Sequence, residues 1–331
     1  VSSFGIGGTN AHVVLKSDIS STQIKDNTRN NLPLCISAKN PDALKAYLES
    51  YKRWLPAREE ICVNQLAYST QSCRQAFSYR ASLAGADTQQ LIDDIDLQIK
   101  RCSTAPPFNY QNLVFLFPGQ GTQTLKMGRY LYHSNELYKK HFDSCAQILL
   151  TKHNIDIADI IESDNDSLQQ TAFAQPAIFS VSYALAQSLS ELRIRPTHTI
   201  GHSIGELASA ALAGVFSLED ALEVVVTRAR VMQQQPPGDM IAVTASAEQL
   251  DAFVDTEVVL AADNSPDICT LSGAAQAIKR VTQALDKANI DYKPLKTSHA
   301  FHSPLMQGAY DAFIEALSHI KLREPEIPFI S

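Results

Sequence analysis

The pentapeptide Gly201-His202-Ser203-Ile204-Gly205 ends an apolar run at 197–201 and begins a helix-like one at 205–213. A chain passes from strand to helix in so few residues only through a sharp, crowded corner, and a glycine two places to each side of Ser203 leaves room for it. Upstream, Leu113-Val114-Phe115-Leu116-Phe117 is wholly apolar and stops at Pro118-Gly119-Gln120-Gly121. Such a run reads as a fully buried parallel strand entering a loop. Helix-patterned stretches at 126–132, 136–150 and 175–191 separate the two strands. The alternation predicts an α/β fold, a parallel sheet covered on both faces with α/β-hydrolase-like architecture.

Between 237 and 297 the order changes. Strands at 240–244, 258–262, 268–272 and 292–295, with helices at 247–254 and 274–288, run strand-helix-strand-strand-helix-strand, which is the ferredoxin-like order. This predicts a ferredoxin-like subdomain at 237–297, inserted into a large core made of 111–236 and 298–331. Ser203 and the histidines after 298 would then meet at the cleft between them. At the other end, a strand at 34–37, helices at 40–54 and 62–70, a strand at 78–85 and a helix at 88–100 make a small α+β domain, placed within 18–110. Pro106-Pro107 punctuates its end, and the polar stretch 17–31 reads as a surface connection. Within 1–17, the Gly-rich turn Gly5-Ile6-Gly7-Gly8-Thr9-Asn10 feeds a short strand, Ala11-His12-Val13-Val14-Leu15, which has no sheet of its own. Several units are expected, because 331 residues exceed the size at which one core stops growing.

A serine on a strand-to-helix corner is lifted out of the backbone, with N–H groups aimed at a developing oxyanion. Its hydroxyl is a weak nucleophile until a base takes the proton. His299 and His302, in Ser298-His299-Ala300-Phe301-His302-Ser303-Pro304-Leu305-Met306, compete for that role, and each could instead be a hydrogen-bonded packing residue. His202 is turned away from Ser203 by backbone geometry and reads as a structural or lining residue. For Ser203 itself the plain alternative is a helix N-cap. Arg228, in Thr227-Arg228-Ala229-Arg230-Val231-Met232-Gln233, is either a solvated salt-bridge residue or a bidentate clamp for a free carboxylate. Gln120 is either a turn residue between glycines or, with Ile204, a backbone N–H donor to the oxyanion. Gln175, in Ala174-Gln175-Pro176-Ala177, is either a polar pocket group or a helix start. The set as a whole points to acyl transfer. Asp263 and Asp267 fall between Ser203 and His302, so a Ser-His-acid esterase or lipase stays open, as does a non-catalytic docking module.

A net charge of -7 and a pI near 5.7 argue against a nucleic-acid surface and favour an acidic, soluble, cytoplasmic protein. Six scattered cysteines without C-x-x-C spacing indicate neither a zinc site nor a disulfide scaffold, and no metal is expected. Apolar runs fall short of the ~20 residues of a membrane span. No leader opens the chain, which starts abruptly at Val1. The segment Gly5 to Thr9 lacks the lysine of a phosphate loop.

These residues resemble the acyltransferase domain of type I modular polyketide synthases, related to the malonyl-CoA:acyl-carrier-protein transacylases of fatty acid synthesis. The resemblance is carried in order by Phe117-Pro118-Gly119-Gln120-Gly121, Gln175-Pro176-Ala177, Gly201-His202-Ser203-Ile204-Gly205-Glu206, Arg228 before Met232-Gln233, Asn264-Ser265-Pro266 and His299-Ala300-Phe301-His302-Ser303-Pro304. Residues 1–17 look like the closing segment of a ketosynthase, and 18–110 hold what looks like the linker between ketosynthase and acyltransferase.

The resemblance implies that Ser203 carries an acyl ester, His302 is its base, Arg228 binds the extender carboxylate, and Gln120 and Ile204 donate backbone N–H groups. His202, Gln175, Asn264, His299 and Phe301 belong to the substrate site. In the family His-Ala-Phe-His accompanies malonyl and Tyr-Ala-Ser-His methylmalonyl. Phe301 would fill the volume that an α-methyl branch needs, a discrimination of ~1–3 kcal/mol. Loading of methylmalonyl or another acyl-CoA is the alternative. The resemblance further implies no tightly bound cofactor, malonyl-CoA as substrate, the phosphopantetheine of an acyl carrier protein as acceptor, and a ketosynthase domain of the same polypeptide as neighbour. The chain ends at Pro328-Phe329-Ile330-Ser331, where the family continues into an Asn-containing segment that orients the imidazole through a backbone carbonyl. It is therefore read as truncated there, with His302 less firmly held.

Overall fold

The computed structural model describes residues 2–4, 8, 10–15, 32–58, 61–85, 87–102, 112–163 and 166–330. The chain divides into Val1–Tyr110 and Gln111–Ser331. In the first unit, β1 (Ser2–Phe4) and β2 (Asn10–His12) pair antiparallel with Ser2 opposite His12. The expected orphan strand thus has a partner inside its own segment, and 13–15 continue past it as exposed irregular chain. Most of the Gly-rich turn, the connection at 17–31 and Pro106-Pro107 lie outside the described residues.

β3 (Leu34–Ala38) buries every second side chain, the period of a strand with one face on a core. α1 (Pro41–Trp54) starts where Asn40 accepts the Ala43 N–H at 2.8 Å, with proline at the position that needs no donor. α2 (Val63–Ser72), β4 (Tyr79–Leu83) and α3 (Thr88–Cys102) follow. β4 pairs antiparallel with β3, and the helices close over the inner face through Leu44, Leu48, Leu91 and Ile95.

The second unit begins with β5 (Val114–Phe117). α4 (Arg129–Ser134), α5 (Glu136–His153), α6 (Ile157–Glu162) and α7 (Thr171–Glu191) follow. α7 starts four residues before the expected position, so Pro176 lies inside it rather than at its start. The N–H missing at proline costs one bond near the helix beginning, and Ser180 donates to the Pro176 carbonyl at 2.7 Å. Next come β6 (His198–Gly201), α8 (Ile204–Leu212) and α9 (Leu218–Gln233), the last capped by Ser217, which accepts the Asp220 N–H.

The inserted part holds β7 (Asp239–Val243), α10 (Ala247–Leu250), β8 (Val258–Ser265), β9 (Ile268–Gly273), α11 (Ala275–Ala288) and β10 (Tyr292–Pro294). Its antiparallel sheet has the order β10-β7-β9-β8, the ferredoxin-like arrangement. Ala277, Ile278, Val281 and Leu285, at helical spacing on α11, cover one face. α12 (Tyr310–Ser318) and β11 (Phe329–Ile330) complete the chain.

The core sheet is parallel, in the order β11-β6-β5, and packs Phe117 against α5, α7, α8 and α9. One sequence reading fails here. β5 is an edge strand with Val114 and Leu116 at 45% and 75% exposure, so the sheet is not covered on both faces among the described residues. An all-apolar run reports hydrophobicity but not which face finds a partner.

Candidate active site

Ser203 stands between β6 and α8 with φ 52° and ψ -113°, a conformation an L-residue holds only under strain of ~1–3 kcal/mol. The surroundings enforce it. A Cβ at Gly205 would run into the Phe117 carbonyl, and one at Gly201 into the backbone of Glu206, so β5, β6 and α8 can close on each other only with glycine at both places. Ile204 is the first residue of α8, and its N–H belongs to the turn whose donors have no intrahelical acceptor.

His302 lies 99 positions away in sequence, and its Nε2 is 3.0 Å from Ser203 Oγ. It too has positive φ, at 57°, and is followed by a helical turn (Pro304–Ala309) capped by Ser303. A serine that donates to Nε2 places the ring proton on Nδ1. Desolvation, then the charges of Arg228 and His202, lower the His302 pKa from 6.5, with Glu206 opposing. The imidazole is therefore neutral, in the form that accepts a proton. His299 does not share this position. It is buried, its Nδ1 is 2.7 Å from Ser298 Oγ, and its ring stacks on Phe301 off the cleft wall.

Arg228 reaches in from α9. Its Nη2 donates to Ser203 Oγ at 3.0 Å and its Nη1 to Gln175 Oε1 at 2.7 Å. Gln175 Nε2 in turn donates to Gln120 Oε1 at 3.1 Å, and Gln120 Nε2 to Thr171 Oγ1 at 3.1 Å. Burial lowers the Arg228 pKa to about 10, against the pull of Glu206, so it remains charged at neutral pH. This network fixes a guanidinium beside a hydroxyl through neutral amides, an arrangement suited to a small anion.

Ser203 and His302 open onto a cleft of about 120 Å³ between the parallel core and the ferredoxin-like subdomain. Gln120, Gln175 and the exposed His202 line its core side, and Asn264 lines the subdomain side, where its Nδ2 donates to Thr270 Oγ1 at 3.0 Å. Phe301, 6% exposed, packs with Met232 and Met240, and all three lie on the wall. Neither of the two acids considered as triad members is bonded to the imidazole: Asp263 accepts from Cys269 Sγ and Asp267 from Ser265 Oγ.

Residues not singled out from the sequence also enter the site. Glu206 acts on both His302 and Arg228, although an acid in a helix first turn signals only favourable placement near the helix dipole. Met240, Thr270 and Thr297 line the cleft with no motif to flag them, and Met232, quoted only as a neighbour of Arg228, lines it too. Among the described residues no cluster of His, Cys, Asp or Glu could hold a metal, and no helix is long and apolar enough to cross a membrane.

Residues 114–331 match the family described as Acyl transferase domain, and residues 33–95 match CurL-like, PKS C-terminal. Phenolphthiocerol synthesis polyketide synthase type I Pks15/1 of Mycobacterium marinum is 34% identical over 345 residues, covering 100% of this chain and 16% of that protein. Mycoketide-CoA synthase of Mycobacterium tuberculosis is 34% identical over 343 residues, covering 100% and 8%. The chain thus spans a small part of these relatives. Among solved structures, the acyl transferase domain of SpnD in complex with 2-(pent-4-yn-1-yl)malonyl has TM-score 0.80 and 29% identity, covering 91% of this chain and 73% of that one. MCAT from Streptococcus pneumoniae has TM-score 0.60 and 29% identity, covering 66% and 74%.

Proposed function

The chain belongs to the acyl transferase domain family in the form carried by type I polyketide synthases, and on that premise we propose that it loads a malonyl unit from malonyl-CoA onto an acyl carrier protein through an ester on Ser203. The observation that carries this reading is the position of Ser203 Oγ, 3.0 Å from both His302 Nε2 and Arg228 Nη2. In the first half-reaction Ser203 Oγ attacks the thioester carbonyl and its proton passes to His302 Nε2. Backbone N–H groups of Ile204 and Gln120 receive the oxyanion. The C–S bond breaks, and His302 returns the proton to the departing CoA sulfur. In the second, the pantetheine thiol gives its proton to His302 and attacks the ester, and the released Ser203 oxygen takes the proton back. Arg228 holds the distal carboxylate throughout.

Phe301, packed with Met232 and Met240 on the wall, supports selection of malonyl over methylmalonyl by ~1–3 kcal/mol. The engagement of Asp263 and Asp267 elsewhere supports transferase over an esterase with an acid-backed histidine. We also assign 1–17 to the end of a ketosynthase, 18–110 to the linker and 111–331 to the acyltransferase with its subdomain at 237–297, working in the cytoplasm beside a ketosynthase of the same polypeptide. Competition between malonyl-CoA and methylmalonyl-CoA for the protein, read by intact mass, tests the substrate. A dominant malonyl adduct agrees with the reading; a dominant methylmalonyl adduct contradicts it.

A further inference from the structure

Thr171 and Gln175 stand four residues apart on α7 and so share one face of it. Gln120 lies across the pair: its Nε2 donates to Thr171 Oγ1 at 3.1 Å, and its Oε1 accepts from Gln175 Nε2 at 3.1 Å. The direction of these bonds is set from the far end. A guanidinium can only donate, so Gln175 must turn its oxygen to Arg228 Nη1 and its nitrogen to Gln120 Oε1. The Gln120 nitrogen then needs an acceptor, and the fully buried Thr171 supplies one. Through that amide the loop after β5 is tied to α7. The backbone on either side of Gln120 is occupied: the Gly119 carbonyl accepts from Thr122 Oγ1 at 2.9 Å, and the Gly121 N–H donates to Gln123 Oε1 at 2.7 Å. Between them, the Gln120 N–H has no partner among the described residues.

We propose that Thr171 is a positioning residue: by holding the side-chain amide of Gln120, it keeps the unpaired N–H of the same residue aimed at the thioester oxygen. This rests on the acyl-transfer reading above, in which that N–H and the one of Ile204 receive the oxyanion. Thr171 touches neither Ser203 nor substrate and acts only through Gln120. Its bond and the Arg228 bond lie at opposite ends of the amide chain, so losing the hydroxyl slackens the loop while Gln175 still holds the guanidinium. The oxyanion develops only in the transition state, so the loss falls on the maximal rate and not on binding.

The test measures acyl-enzyme formation from malonyl-CoA in the parent protein, in Thr171→Val, Thr171→Ser and Gln120→Met, and in Thr171→Val combined with Gln120→Met. Thr171→Val keeps the shape and removes the acceptor. It should lower the saturating acylation rate about threefold to tenfold, the worth of one hydrogen bond, and leave the half-saturating malonyl-CoA concentration unchanged. Thr171→Ser should acylate like the parent. With Gln120→Met already in place, Thr171→Val should cost no further rate, because the amide it holds is gone. Thr171→Ala repeats the comparison with a smaller side chain. A parent-like rate in both hydroxyl-free variants, a loss that Thr171→Ser shares, a loss that appears in the half-saturating concentration instead of the rate, or an equal loss with and without the Gln120 amide would each overturn the inference while leaving the transferase reading intact. Failure of the parent protein to take a malonyl group would bring down both.

Discussion

Ser203 Oγ lies 3.0 Å from His302 Nε2 and accepts from Arg228, so the two residues set its chemistry from opposite sides. Because the His302 pKa lies below its ordinary 6.5, the base stays neutral to lower pH than a free imidazole. The rate of acyl-enzyme formation should therefore hold as pH falls through 6.5 and decline only below it; a profile with its midpoint above the ordinary histidine range would contradict this. The same shift has a stability consequence. The unfolded chain takes up the proton first, so the His302 contribution to stability is lost as pH falls from the ordinary range towards the lowered folded value. Arg228 makes charge-assisted bonds that an anion can share, and Arg228→Ala should slow malonyl loading about tenfold to a hundredfold, measured as kcat/KM for acylation. An unchanged value would remove the carboxylate clamp from the account.

At the scale of elements, the corner at Ser203 depends on β5 and β6 running close under the first turn of α8. Gly205→Ala puts a methyl group against the Phe117 carbonyl. It should cost about 1–3 kcal/mol in denaturant unfolding and slow acylation, because any relief moves Ser203 away from His302. This corner was legible in the sequence, since two glycines around a serine between a strand and a helix have few other uses. The ferredoxin-like order was legible too, because strand and helix periods alternate cleanly from β7 to β10. Other features were not. Taken alone, the residues leave His299 and His302 open, because the choice depends on where one loop turns, and only the resemblance names His302; the pairing of Ser298 with His299 has no pattern in sequence. The exposed face of β5 and the short α6 were equally hidden, the first because burial depends on neighbours far along the chain. The early start of α7 escaped because proline marks a helix start more often than a second turn. Thr171 carries no motif at all, and only its bond to Gln120 in three dimensions singles it out.

Across the whole chain, Val1–Tyr110 has its own apolar core around Leu34, Leu48 and Leu83, and Gln111–Ser331 has separate cores in the parallel layer and the subdomain. Leu48 is fully buried, and Leu48→Ala should destabilise its unit by about 2–5 kcal/mol. In calorimetry one transition should move and another stay, with acylation at 25 °C preserved; a single shifted transition would show that the units unfold together. The most direct test of the central claim is intact mass spectrometry of the protein after exposure to malonyl-CoA, alongside Ser203→Ala. The account predicts one added malonyl group on the parent chain, located to the peptide holding Ser203, and none on the variant. An equal adduct on Ser203→Ala, or one mapped to another residue, would contradict it.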